Sequence, residues 1–260
     1  MSEVRIDQQG HVAWVVLDQL AKRNAMNQGM WEQLAQVAQQ LNQASDVRCV
    51  VLRGAGEEAF VSGADISEFH SLRADPDLAR EYDRTTDAAF AALLELEIPV
   101  LSCIHGFCVG GGLAIALCSD IRYAAEDARF ALPPARLGIG YGLTNLQNAL
   151  RVLPAATAKE LFFTARQLDA VEALRLGLVS HVVAKAELDA HVADVARKIC
   201  ENAPLTLRAA KSGIRALTSG GDTALLVRAQ SQIDACFASR DYAEGVSAFL
   251  EKRRPAFRGE

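Results

Sequence analysis

A chain of 260 residues, half of them hydrophobic, can bury one substantial core with room for a smaller helical lobe. Its net charge of -5 argues against general nucleic-acid binding, though not against a local basic patch for a phosphorylated ligand. The N-terminus, "MSEVRIDQQGHVAWVVLD", has no signal-peptide profile, and Asp120 and Arg122 interrupt the longest apolar run. Neither nucleic acid nor membrane is therefore an expected partner, and the expected location is cytoplasmic. The six cysteines are scattered in apolar contexts without a CxxC pair, which predicts reduced, buried thiols and no metal site.

In chain order, "HVAWVVLD" (11–18) reads as a strand and "GMWEQLAQVAQQLNQA" (29–44) as a helix. In that helix Trp31, Leu34, Val37, Ala38 and Leu41 share one face. "RCVVLRG" (48–54) is a second strand. "AFVSGADISEF" (59–69) follows a strand-like segment and opens a helix, with Gly63 permitting a tight turn and Asp65 or Ser67 available as an N-cap. "LAREYDRTTDAAFAALLELE" (78–97) is amphipathic, and "IPVLSCIHG" (98–106) is a strand with Pro99 at its start. "DIRYAAEDARFAL" (120–132) reads as two short strands around a turn. This alternation indicates an α/β core. After about residue 145 the strand signals fade into helical patterns such as "LDAHVADVARKICENA" and "LTLRAAKSGIRAL". The last element, 241–257, ends in Lys252, Arg253 and Arg254, which suit a helix C-terminus or a ligand equally well.

The chemistry-bearing pieces are backbone. Three consecutive glycines, Gly110 to Gly112, lead into an apolar helix with no acid, base or nucleophile between Leu113 and Leu117. Glycines there imply that something approaches the backbone closely. With the Gly63 turn they offer two sets of N–H donors, each between a strand and a helix. Two such donors aimed at one point make an oxyanion hole. Among side chains, Tyr141, flanked by Gly140 and Gly142, is the strongest candidate to enter a pocket. His70, Glu68, Arg136, Asn145 and Asn148 are weaker ones. Asp120 reads as a satisfied structural carboxylate, His105 as packing beside the glycine turn, and Phe162, Phe163 and Phe237 as core or interface.

"LAKRNAMN" (20–27), "FVSGADISEF" (60–69), "IHGFCVGGG" (104–112), "CSDIRYAAEDARFALP" (118–133), "ALRLGLVSHVV" (173–183) and "EGVSAFLEKRRPAF" (244–257) together resemble the enoyl-CoA hydratase/isomerase, or crotonase, superfamily. The resemblance implies an α/β spiral of repeated ββα units over 1–195 and a helical C-terminal trimerisation region over 196–260. It implies homotrimers or dimers of trimers. It places the oxyanion-hole N–H groups at Ala64 and Gly111. Lys22, Arg23 and Ala25 fall where the CoA nucleotide and pantetheine are held, and Ala64, Asp65, Ile66 and Ser67 along the acyl thioester. Lys252 falls where a neighbouring subunit's lysine approaches the CoA phosphates. Coenzyme A enters as part of the acyl-CoA substrate, so no separate cofactor is expected.

Two departures bear on the reaction. Hydratases of this family carry glutamates at the positions occupied here by Ala114 and Pro134, and neither residue can transfer a proton. Losing a positioned acid–base group costs about 10²–10⁴-fold in rate. "PPARLGIGYGLTNLQNAL" (133–150) resembles the methylmalonyl-CoA decarboxylase branch, whose tyrosine corresponds to Tyr141. That branch has a histidine where this chain has Ala64 and can retain an acid where it has Ala114, so this chain departs from it twice. The leading expectation is decarboxylation of a malonyl-type CoA ester through a thioester enolate. The alternatives are an isomerase or hydratase with a relocated acid, a thioester or carbon–carbon bond hydrolase, and a non-catalytic acyl-CoA-binding protein.

Overall fold

In the computed structural model, which describes residues 2–260, the chain opens with an antiparallel pair, β1 (Glu3–Gln9) and β2 (Val12–Asp18). β1 gives no sequence signal because it is an edge strand with only Val4 buried. Asn27 caps α1 (Gln28–Gln43) by accepting from the Met30 N–H. Met30, Trp31, Leu34, Ala38 and Leu41 form the helix's buried face, much as its periodicity predicts, with Val37 half-buried.

From β3 (Cys49–Gly54) onward the chain repeats one device. A strand in a large sheet is followed by a short strand in a second sheet, then by helix. β4 (Ala59–Val61) leads to α2 (Phe69–Leu72) and α3 (Pro76–Leu94). β5 (Val100–Ile104) and β6 (Phe107–Val109) lead to α4 (Gly111–Leu117). β7 (Ile121–Ala125) and β8 (Arg129–Ala131) lead to α5 (Pro134–Leu137), α6 (Leu143–Val152) and α7 (Ala155–Thr164). β9 (Gln167–Asp169), α8 (Ala170–Arg175) and β10 (His181–Val183) complete the sheets. The large sheet runs β1-β2-β3-β5-β7-β10 and the second β4-β6-β8-β9. This is the ββα spiral that the resemblance implies.

The differences from expectation have physical causes. β7 and β8 are two short strands around a turn, as the sequence predicts, but in different sheets: β7 pairs with β5 and β10, while β8 pairs with β6 and β9. β9 and β10 lie beyond residue 145 but span three residues each, too short for a period-2 pattern to register. α9 (Leu188–Cys200) lays Leu188, Val192, Ala196 and Cys200 on the outer face of the large sheet, against Trp14, Val51, Leu101 and Tyr123. A boundary drawn between 195 and 196 therefore falls inside this helix. α10 (Pro204–Thr218), α11 (Thr223–Phe237) and α12 (Arg240–Leu250) follow. α12 stops at Leu250, so Lys252, Arg253 and Arg254 lie past it rather than in its last turn, and Lys252 adopts φ +56°.

The strands of the large sheet between β2 and β7 are covered on both faces, which explains their near-continuous apolar sequences. On β2, Ala13, Val15 and Leu17 enter the main core while Val12 and Trp14 face α9. The main core also holds Trp31, Phe60, Phe130 and Ile104, each worth about 1.5–3 kcal/mol when fully buried. The six cysteines are free, and all but Cys236 are buried. Cys103, His105 and Asp189 bring potential ligand atoms within 4.8 Å of one another. Asp189 there accepts from Cys103 Sγ at 3.3 Å, lies 2.9 Å from His105 Nε2, and is paired with Arg53 at 2.8 Å.

The second sheet and α4 approach each other closely at Gly112. A Cβ on this residue would stand 2.3 Å from the Val61 carbonyl oxygen and 2.7 Å from the Val61 Cβ. Gly112→Ala should therefore cost about 1–3 kcal/mol of overpacking. It should lower the melting temperature by roughly 2–4 °C for each kcal/mol. An unchanged melting temperature would mean that β4 and α4 separate freely.

Candidate active site

A cavity of about 360 Å³ opens between the ends of β4 and β6, the start of α4, the face of α3 and the 133–145 segment. Three stretches of backbone build its rim. Met26 N–H donates to the Gly63 carbonyl and Asp65 N–H to the Met26 carbonyl, both at 2.8 Å, so the 20–27 loop is fastened to the turn after β4. Gly63 takes φ +128° and Gly110 φ +54°, conformations that a side chain would strain. Gly110 N–H donates to the Ala131 carbonyl at 2.9 Å, which anchors the entrance of α4 to β8.

The result is a pair of backbone N–H groups at one edge of the cavity. Neither Ala64 nor Gly111 donates to a backbone acceptor among the described residues. The two are neighbours: a Cβ on Gly111 would lie 3.7 Å from the Ala64 nitrogen, and 3.1 Å from the Trp31 ring. α4 spans only seven residues and has no acidic side chain in its first turn. Its contribution is the first N–H rather than a long dipole.

Ala114 and Pro134, where the hydratase glutamates would stand, both line the cavity. The wall beside the paired donors is thus without an acid at either place. Tyr141 lines it too, as the sequence predicts, with its ring 4.9 Å from Phe162. Its hydroxyl is buried without a partner, and burial pushes the phenol above its ordinary value, so it stands as a neutral O–H. Asn145 also lines the cavity, and its Oδ1 is buried and unpartnered.

The remaining sequence candidates divide. Lys22 Nζ donates to Asp65 Oδ2 at 2.6 Å and to Ser67 Oγ at 2.8 Å. Burial works to raise the Asp65 carboxyl, but the hydrogen bonds from Lys22 and Ser67 outweigh it and hold it below its ordinary value. Arg23 pairs with Glu58 at 2.6 Å and lies over the Phe107 ring, while Ala25 is buried. Ile66 is exposed and lines the cavity. Glu68 does not face it, because its Oε2 accepts the Gln28 N–H at 2.9 Å and so caps α1. Asn148 is buried against Cys118, and neither His70 nor Arg136 is among the lining residues. Asp120 is a structural carboxylate, accepting the Val100 N–H at 2.7 Å and paired with Lys211 at 2.8 Å.

The sequence reading misses one wall. Tyr82, Asp83, Thr86, Asp87 and Phe90 of α3 all line the cavity, with Arg73 beside them. Trp31 fixes that wall, donating from Nε1 to the Tyr82 hydroxyl at 3.1 Å and packing edge-on against Phe90 at 5.3 Å. Arg73 stacks over Phe69 and Tyr82 and pairs with Asp83. The available signal was a pair of like charges, Asp83 and Asp87, one turn apart on an amphipathic helix.

Residues 7–260 match the enoyl-CoA hydratase/isomerase family. A short-chain-enoyl-CoA hydratase from Clostridium acetobutylicum is 36% identical over 255 residues, covering 98% of this chain and 97% of the relative. The methylmalonyl-CoA decarboxylase of Escherichia coli is 34% identical over 243 residues, 92% of this chain and 91% of that protein. A crystal structure of an enoyl-CoA hydratase/carnithine racemase from Magnetospirillum magneticum superposes with a TM-score of 0.93 at 35% identity, covering 100% of this chain and 97% of that one. With its ββα spiral and paired backbone donors, the chain belongs to the enoyl-CoA hydratase/isomerase family.

Proposed function

We propose that this protein processes acyl-CoA thioesters through an enolate whose oxygen is held by the N–H groups of Ala64 and Gly111. The observation that carries this reading is the convergence of two unpaired backbone donors on one cavity. Such donors act on the charge that develops at the thioester oxygen, and removing one from a comparable site costs about 2.7–4 kcal/mol in the barrier. Lys22, Arg23 and Ala25 lie on the loop fastened to Ala64–Ser67, which suits a CoA chain running along that loop with its thioester at Ala64. Lys252 belongs to the same binding function from a neighbouring subunit. Exposed Phe249, Leu250 and Leu217 at the C-terminal helices support a trimer or a dimer of trimers.

The leading reaction is decarboxylation of a malonyl-type CoA ester. Breaking the carbon–carbon bond leaves its electron pair in the enolate and releases CO₂, so no strong base is needed to start. Ala114 and Pro134 are compatible with that, and the role proposed for Tyr141, whose hydroxyl has no partner in the protein, is to donate a hydrogen bond to the departing carboxylate or the enolate. A second reading is double-bond isomerisation or hydration of an enoyl-CoA with a relocated acid. The carboxylates on α3 and the hydratase relatives favour it.

Incubation with two pools separates these reactions by mass spectrometry. One pool holds 2-enoyl-CoAs of several lengths, the other malonyl-, methylmalonyl- and ethylmalonyl-CoA. Loss of CO₂ from the second pool with the first untouched is the expected outcome, and hydration or isomerisation of the first would establish the second reading. Release of free CoA would indicate a hydrolase, and binding without turnover an acyl-CoA-binding protein. Tyr141→Phe should slow turnover at least about tenfold, within the range for a positioned proton-handling group. An unchanged rate would remove the hydroxyl from the mechanism.

A further inference from the structure

The geometry points to Asp87 as the acid–base residue that exchanges a proton with the α-carbon of the bound acyl group. This inference rests on the enolate reading above and holds for either reaction proposed there.

Asp87 lines the same cavity as Ala64, Gly111 and Tyr141. Its Oδ1 lies 3.8 Å from the point that a Cβ on Gly142 would occupy, and the Asn145 Nδ2 lies 3.9 Å from that point. The carboxylate thus faces the Tyr141–Asn145 wall, where the Tyr141 hydroxyl and Asn145 Oδ1 are buried without partners. On the other side, Trp31 spans from α3 to the hole. It bonds Tyr82, packs on Phe90, and lies within 3.1 Å of a Cβ built on Gly111. Tyr82 and Phe90, which Trp31 holds, lie five residues before and three residues after Asp87 on α3, and all three line the cavity that Ala64 and Gly111 edge.

Its partners distinguish Asp87 from the other acids. Asp83 is tied to Arg73, Asp65 to Lys22 and Glu68 to the Gln28 N–H. Asp87 takes no part in the ion pairs or side-chain hydrogen bonds among the described residues. Loss of surrounding water, and then the negative charge of Asp83 one turn away, raise its carboxyl above the ordinary value. A like-charge pair at this spacing works against the helix. Such a local conflict in a cavity, at a group whose proton affinity is raised, marks a functional position. A second substrate carboxylate would raise that affinity further and hold Asp87 protonated, ready to donate.

The proton bookkeeping is simple. After CO₂ leaves, the enolate α-carbon takes the proton of the Asp87 carboxylic acid, and water returns one to the carboxylate. With a saturated thioester the same group runs in reverse. Its carboxylate takes the α-proton, the C–H electron pair becomes the enolate, and a solvent deuteron is returned from Asp87.

The test is α-proton exchange of butyryl-CoA in D₂O, followed by NMR and mass spectrometry, with binding measured by calorimetry. The wild-type protein should incorporate deuterium at the α-carbon. Asp87→Asn should bind butyryl-CoA within about threefold of wild type but exchange at least about a hundredfold more slowly. Asp87→Glu should recover part of the exchange. Equal exchange by Asp87→Asn and wild type would overturn the role of Asp87 while leaving the enolate reading intact. Binding without any exchange by the wild type would overturn the role of Asp87, and the two-pool incubation then decides the enolate reading separately. If Asp87→Asn loses binding as well as exchange, Asp87→Glu decides: rescue of binding without rescue of exchange would likewise overturn the proposal.

Discussion

Gly112 has no room for a side chain because the Val61 carbonyl lies against it. That contact holds the end of one strand of the second sheet against the start of the helix that follows its neighbour. Both connections then turn at the same place. Met26 closes the arrangement from a third part of the chain, bonding the Gly63 carbonyl and accepting from Asp65. Two donors held by three mutually anchored backbone segments need no rearrangement when charge develops between them, and this is why a backbone hole outperforms mobile side chains. A reaction that has lost both hydratase acids can still depend on it.

The floor and the far wall of the cavity follow from Trp31. Its ring packs under Gly111, its N–H satisfies Tyr82, and its edge meets Phe90, so helix α3 is held at a fixed distance from the paired donors. Of the polar side chains that helix presents to the cavity, Tyr82 is matched by Trp31, Asp83 by Arg73 and Thr86 by the Asp83 carbonyl, whereas Asp87 is not matched. The cavity therefore sets the Tyr141 phenol, the Asn145 amide and the Asp87 carboxylate, none of them tied into an ion pair, around an apolar floor and two N–H donors. This is a small inventory, suited to making and quenching an enolate rather than to activating a strong nucleophile.

Much of this was legible in the sequence, for identifiable reasons. The strands over 12–18 and 49–54 announce themselves because burial on both faces makes them continuous valine-rich runs. α1 is legible because one face carries Trp31, Leu34, Ala38 and Leu41. The glycine triplet signals close backbone approach, and Ala114 and Pro134 are found on the cavity wall where the motif alignment places them. What stayed hidden depends on tertiary position. β6, β9 and β10 span three residues each, and their pairing decides their identity. The sequence does not show that Asp65 and Ser67, more than forty residues on, engage Lys22. Beyond its spacing from Asp83, nothing in the sequence singles out Asp87, which stays exposed, because only the path of α3 past Trp31 puts it at the cavity.

The central claim is that Ala64 and Gly111 hold the thioester oxygen. Isotope-edited infrared spectroscopy of a bound acyl-CoA carrying ¹³C at the thioester carbonyl tests it most directly. Two N–H donors polarise the carbonyl, so its stretch should move to lower wavenumber than that of the same thioester free in water. A fully bound thioester whose carbonyl stretch matches the free one would contradict the claim, because its oxygen would then lie outside the hole.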